Sequence, residues 1–305
     1  MDRSQFLKTS SLAAAGLLFP WKSLLAQDNP LTMIRRNVGY FSGRGGTIGF
    51  LMNKDAMAAV DSQYPEAAQK FITALRGKAG DSNRRFDLLI NTHHHGDHTG
   101  GNPAFRPVTD HIIAHKNVPG LQKQFYGDSD SEQVYADTTY SDSWSQQVGD
   151  ETVHLSYHGP AHTGGDSVVY FEKANVVHTG DLMFNRWYPV IDRPAGALIE
   201  NWIQILERMS DTYPSDTVYI FGHGNPKAGV TGTEADLLYL RDYLSHLLAY
   251  TQGKINEGWS LQELQENTDS FEQFSDFEGP GGRLTLDFNL KVAYQELTHV
   301  PRSES

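Results

Sequence analysis

The chain has 305 residues and a mass of 34.1 kDa, 39% apolar and 20% charged, a globular composition that excludes a disordered one. Its net charge of −12 argues against a nucleic-acid backbone as partner. There is no cysteine, so disulfides, thiolate clusters and cysteine nucleophiles are excluded. Any metal must rest on His, Asp, Glu or backbone oxygen, and thirteen histidines are left to explain.

Residues 1–26 read as a signal peptide. Arg3 and Lys8 make the start basic, and the apolar stretch from Leu12 to Phe19 is far shorter than the ~20 residues a membrane span needs. The stretch RSQFLK resembles a degenerate twin-arginine signal with Ser4 in place of the second arginine. Cleavage after Ala26 would remove Asp2, Arg3, Lys8 and Lys22 and leave a charge of −14. The protein is therefore expected to be exported, to a bacterial periplasm, with 27–305 as a single domain. No other segment is apolar for long enough to cross a membrane.

Thr47–Met52 and Met57–Val60 read as strands paired across the turn Asn53-Lys54-Asp55. Pro65 opens a helix with Ala68, Phe71, Ile72 and Leu75 on one face and Gly77 near its end. Phe86–Ile90 is a short apolar run, predicted as a buried strand, and Ile112–Ala114 as another. The polar stretch 127–145 reads as a long surface loop. Further strands are predicted at Val153–Tyr157, Val168–Phe171, Val176–His178 and Thr217–Phe221. Helices are predicted at roughly 198–210, 233–251 and 287–298, with 270–283 irregular. Mixed strands and helices of this kind suggest sheets covered by helices on the outside, an α+β fold.

The first strand-like run after the helix leads straight into NTHHHGDHTGGN. Within it His93, His95, Asp97 and His98 form the pattern HxHxDH. Around a tight loop alternate side chains converge, so His93 and His95 can share one metal while Asp97 and His98 point past it toward a second. So many ionisable groups at one apolar strand end would repel one another and desolvate badly without a metal. Three more candidates follow, each at an apolar strand and flanked by glycine: His162 in GPAHTGGD, Asp181 in HTGD and His223 in FGHG.

In this order the motifs resemble those of the metallo-β-lactamase-fold hydrolases, over roughly residues 38–250. The resemblance implies a four-layer αβ/βα sandwich with metals at one edge. It implies that His93, His95 and His162 bind a first zinc, that Asp97, His98 and His223 bind a second, and that Asp181 bridges them. Fe or Mn could occupy the same set. The implied chemistry is hydrolysis. A metal-bound hydroxide, oriented by Asp97, opens a carbonyl bond of a small molecule of the β-lactam, lactone or thioester class. Some β-lactamases carry Cys at the bridging position, and this chain has none to offer. The alternative on the same scaffold is an iron-dependent oxidoreductase, similar to persulfide dioxygenases.

Other residues have plainer readings. His94 is expected to pack away from the metals and His178 to be a satisfied core histidine, with His158 left outside the site. Asp61 is a candidate to orient a ligand histidine, or a surface turn, and Asp166 to buttress the loop of His162. Asn185, Arg186, Trp187, Tyr188, Tyr135 and Tyr140 are candidates to line a substrate pocket. Arg44-Gly45-Gly46 is a candidate loop over the site.

Overall fold

A computed structural model describes residues 31–298. The expected signal peptide, 1–26, lies outside the described residues.

The chain opens with an antiparallel meander of β1 (Leu31–Arg35), β2 (Val38–Phe41), β3 (Ile48–Met52) and β4 (Met57–Val60). The β3–β4 turn is held by Asn53, whose Oδ1 accepts the N–H groups of Asp55 and Ala56 at 3.0 and 2.7 Å. Helix α1 (Pro65–Ala79) starts on proline and buries Ala68, Phe71, Ile72 and Leu75, as its spacing predicts. It runs past Gly77 and stops at Gly80, whose φ of 71° lets its N–H reach the carbonyls of Arg76 and Gly77.

Next come β5 (Phe86–Asn91), the helical turns α2 (Gly96–Thr99) and α3 (Asn102–Phe105), β6 (Thr109–His115), α4 (Val118–Tyr126) and β7 (Thr138–Tyr140). Strands β1 to β7 form one sheet in sequence order, with β4 to β7 parallel. The second sheet holds β8 (Ser143–Val148), β9 (Glu151–Tyr157), β10 (Ser167–Phe171) and β11 (Val176–His178). After β12 (Phe184–Asn185) and α5 (Ile199–Thr212) it gains β13 (Val218–Ile220). Then follow β14 (His223–Gly224), which pairs with β12, and β15 (Thr231–Gly232), which pairs with β13. The chain closes with α6 (Glu234–Asn256), α7 (Leu261–Glu266) and α8 (Leu286–Leu297).

Strand periodicity sorts the apolar side chains into three layers. Met57 and Ala59 of β4 face α1, in a cluster with Phe71, Leu75 and Phe86. Ala58 and Val60 face the other way and meet Val153, Leu155, Val169 and Phe171 of the second sheet. Beyond that sheet, Val168 and Val177 meet Trp202 of α5, Tyr243 of α6 and Leu290 of α8. The result is the four-layer αβ/βα sandwich.

One expectation is corrected. The stretch 127–145 is not loop throughout, because β7 and the start of β8 lie within it. Tyr140 is buried there and donates its hydroxyl to Ser167 Oγ at 2.7 Å. Strand β8 ends its sheet and leaves most of its side chains exposed, so it lacks the apolar alternation that marks a strand.

The carboxyl ends of β4, β5, β11 and β13 and the amino end of β10 all emerge at one edge of the sandwich. There the sheets are joined directly. Thr47 gives both its N–H and its hydroxyl to Gly222 O, at 2.9 and 3.0 Å, and Ser167 N–H reaches Thr92 O at 2.8 Å.

Candidate metal centre

At that edge the structure brings together all seven of the residues singled out by motif. The metal-binding atoms of His93, His95, His162 and Asp181 lie within 4.8 Å of one another, and all four residues are buried. Those of Asp97, His98 and His223 form a second such group.

In the first group each imidazole is held through one nitrogen. Thr92 gives its hydroxyl proton to Asp61 Oδ2 at 2.8 Å, so toward His93 Nδ1, 3.0 Å away, it can only accept. That puts the His93 proton on Nδ1 and a lone pair on Nε2. His162 Nδ1 lies 3.2 Å from Asp166 Oδ1, and Asp166 is fixed by the N–H and hydroxyl of Thr163, at 2.7 and 2.8 Å. His95 turns Nε2 to Asp192 Oδ2 at 2.7 Å. His93 Nε2 and His162 Nε2 are left buried with no hydrogen-bond partner, each 3.7 Å from Asp181 Oδ2. Burial, with His98 nearby, holds His93 well below the usual histidine range, so it stays neutral.

The second group is knotted together. His98 Nε2 lies 3.3 Å from His223 Nε2 and 3.0 Å from Asp181 Oδ1. His223 Nε2 lies 3.1 Å from Asp97 Oδ2 and 3.4 Å from Asp181 Oδ2. Asp181 thus stands between the groups. Burial pushes the His98 and His223 imidazoles down, but the carboxylates of Asp181 and Asp97 outweigh it, and His223 is raised to about 9. The ring of Phe184 stacks on His223 at 5.3 Å.

The backbone is shaped for this. Asp61 follows β4 in a left-handed conformation, φ 65°, which is uncommon for a residue with a side chain. From there it accepts Thr92 N–H at 2.8 Å and holds His98 Nδ1 at 2.7 Å. A Cβ on Gly222 would stand 2.0 Å from Asp181 Oδ1, so only glycine leaves room for that carboxylate.

Imidazole nitrogens with buried, unused lone pairs, beside carboxylates and without thiolates, suit a divalent metal such as zinc. The outer nitrogens are tied to Asp166, Asp192, Thr92 and Asp61, the arrangement that fixes the tautomer of a ligating histidine.

A cavity of about 580 Å³ opens beside this cluster. Tyr64, His95, Asp97, Tyr126, Val190 and Arg283 line it. Several expected lining residues do not. Tyr140 is inside the sandwich, and Tyr135 and Tyr188 face other surface hollows. Asn185 bonds the carbonyls of Ala228 and Gly229, and Arg186 pairs with Asp236 and Asp276. Trp187 instead stacks over His223 at 6.1 Å. His178 is satisfied in the core by Thr47 O at 3.0 Å and by the N–H of Gly180. His158 bonds Ser156 and faces a separate groove. His94 packs against Phe125 and Tyr126, where burial lowers it to about 2, but its buried ring nitrogens have no hydrogen-bond partner and one lies within 4.8 Å of donor atoms of His95 and Asp192. Gly46 N–H binds Asp97 O at 3.0 Å, so the Arg44–Gly46 loop does pack on the site.

Sequence reasoning missed Asp192 and Arg283. Neither belongs to a motif, and both reach the site only through the tertiary fold.

The family model of the metallo-beta-lactamase superfamily matches residues 60–223, more than half of the chain. The chain belongs to that superfamily. Among its relatives in the superfamily is a type 2 metallo-beta-lactamase from Elizabethkingia meningoseptica, 23% identical over 58% of this chain and 68% of that one. A probable hydroxyacylglutathione hydrolase from Schizosaccharomyces pombe is 28% identical over 48% of this chain and 53% of its own. Among solved structures, a sec-alkylsulfatase from Pseudomonas sp. matches with a TM-score of 0.70 at 13% identity, over 90% of this chain and 51% of that chain. A metallo-beta-lactamase from Pontibacter korlensis matches with a TM-score of 0.55 at 18% identity, over 70% and 98%. The chain thus spans about half the length of the yeast relative and of the sulfatase. Members of that superfamily are generally metal-dependent hydrolases.

Proposed function

We propose that this superfamily member is a zinc-dependent hydrolase that opens a carbonyl bond of a small molecule, of the β-lactam, lactone or thioester class. The observation that carries the reading is the pair of buried, partnerless nitrogens, His93 Nε2 and His162 Nε2, turned toward Asp181. In this reading His93, His95 and His162 would hold one zinc and Asp97, His98 and His223 another, with Asp181 standing between the two groups.

Bound zinc supplies an acidified water and a Lewis acid for the substrate oxygen. The protein's own groups do the rest. Asp97 lines the cavity with a quarter of its side chain exposed. Burial raises its carboxyl, but His98 and His223 more than offset this and keep it ionised. It therefore accepts a hydrogen bond and orients the attacking water. Asp192 and Asp166 keep the rings of His95 and His162 from turning. Tyr64, Tyr126 and Val190 give the cavity an apolar wall for the body of the substrate. The relatives named for lactamase and hydroxyacylglutathione hydrolase activity favour hydrolysis over oxidation.

The test is turnover by the zinc-loaded protein of a penicillin, a carbapenem, a lactone, a thioester and a sulfate ester, the last suggested by the sulfatase scaffold. Each is run with and without chelator and against His95→Ala. Chelator-sensitive turnover absent from the variant supports the reading. Iron as the bound metal, with oxygen uptake and no hydrolysis, overturns it in favour of oxidation.

A further inference from the structure

Arg283 comes from outside the stretch that matches the superfamily, yet it lines the cavity beside His95. The chain reaches this place through Gly281 and Gly282, both left-handed with φ of 105° and 64°. The turn is pinned on both sides. Before it, Glu278 N–H binds Arg186 O at 3.1 Å and Tyr188 N–H binds Glu278 O at 3.0 Å. After it, Leu284 packs on the outer apolar cluster and Thr285 caps α8 through Phe288 N–H at 3.2 Å.

Among the described residues the guanidinium makes one ion pair, Nη2 to Asp192 Oδ1 at 3.0 Å, and it lies 5.7 Å from the ring centre of Phe288. Asp192 spends its other oxygen on His95. A guanidinium carries five N–H donors, and one edge is enough for Asp192. The side chain stays 44% exposed. The donors that Asp192 does not use therefore stand open on the cavity wall. Among the described residues Arg283 is also the sole Lys or Arg in that wall, where the carboxylates are Asp97, already engaged by His223, and Glu132.

We propose that Arg283 reads the substrate, and that the substrate carries a carboxylate. The free edge of the guanidinium takes that carboxylate, Tyr64, Tyr126 and Val190 hold the apolar body, and the scissile carbonyl lies at the His95–Asp97 end. The inference rests on the hydrolase reading above and narrows it to anionic substrates. It also places the substrate's charge one residue away from His95, through Asp192.

Two esters matched in length test it: the mono-4-nitrophenyl ester of glutaric acid, which carries a carboxylate, and 4-nitrophenyl pentanoate, which does not. The readout is the ratio of their kcat/KM values, which cancels any general loss. The zinc-loaded protein is expected to prefer the charged ester by about 10- to 100-fold, mainly through KM. Arg283→Gln should bring the ratio near one, and Arg283→Lys should keep part of it. A parallel arm measures binding of glutarate alone by calorimetry, with zinc content read by mass spectrometry. Arg283→Gln should weaken that binding at least ~10-fold without loss of zinc. If Arg283→Gln lowers both esters alike and leaves the ratio and glutarate binding at the wild-type values, Arg283 only supports Asp192 and the proposal fails. If the wild type cleaves neither ester but binds glutarate through Arg283, the anion site stands and the hydrolase reading falls. If it cleaves both esters equally and binds no glutarate, the hydrolase stands and the anion site falls. If it neither cleaves nor binds, both fall.

Discussion

In one half of the centre, His93 Nε2 and His162 Nε2 are buried with no partner. In the other half, His98 Nε2 and His223 Nε2 lie 3.3 Å apart and share the carboxylates of Asp97 and Asp181. The first half is rigid and electrostatically unfinished. Its outer nitrogens are tied down and its inner ones have nothing to bind. The second half can complete itself with its own hydrogen bonds, and its members Asp97 and His223 are partly exposed to the cavity side. Same residue types, placed at different depths, therefore leave the inner nitrogens of one half without a protein partner and bring the donors of the other half against one another.

The largest expected effect is at the first half. His162→Ala should lose the metal held there and cut turnover by at least the ~10²–10³-fold that removal of one electrostatic stabiliser costs. Zinc per chain, read by mass spectrometry, should fall with it. His223→Ala should keep the first zinc and lose the second, with a smaller drop of about 10- to 100-fold. Equal losses of zinc and turnover in the two variants would break the comparison. Dialysis against a weak chelator sharpens it: the wild type should pass through a state with one zinc before none, and the surviving zinc should be absent in His162→Ala. Asp166→Asn leaves the His162 ring in place but removes a charge behind it, so zinc affinity of the first half should drop about tenfold. The smallest effect on the centre is expected from Phe277→Ala. Phe277 stacks on Tyr243 at 4.5 Å in the outer core. Its loss should cost roughly 3–5 kcal/mol of stability, read as a lower melting temperature, with zinc content unchanged.

The part of the centre that was legible in the sequence is the part made by local geometry. His93 to His98 sit on one turn after one apolar strand, Asp181 and His223 each stand beside glycine close to a strand end, and His162 lies in the glycine-containing loop between β9 and β10, not at a strand end as expected. Burial of β5 follows from its composition, and the turn that must come after it forces the side chains together. Asp61 was legible for the same reason, as the first polar residue after β4. The cavity walls were not. Asp192 and Arg283 are 91 residues apart and meet only because α8 and the turn before it fold back on the second sheet. Tyr135, Tyr140 and Tyr188 looked like lining because they are aromatic and near the motifs in sequence, but nearness along the chain says nothing about which face of a sheet they reach. Strand β8 was hidden by its exposed polar side chains at the end of its sheet.

The two sheets meet at Tyr140 and Ser143, and the donor set is divided at the same place. Everything before it contributes His93, His95, Asp97 and His98, and everything after it contributes His162, Asp181 and His223. Cutting the chain there would make two fragments, each with an incomplete set and each with half of the Thr47–Gly222 and Thr92–Ser167 stitches. Neither fragment alone carries a complete donor group, so zinc uptake by a mixture of the two beyond that of either fragment would report their reassembly, with the metal as the latch of a split protein.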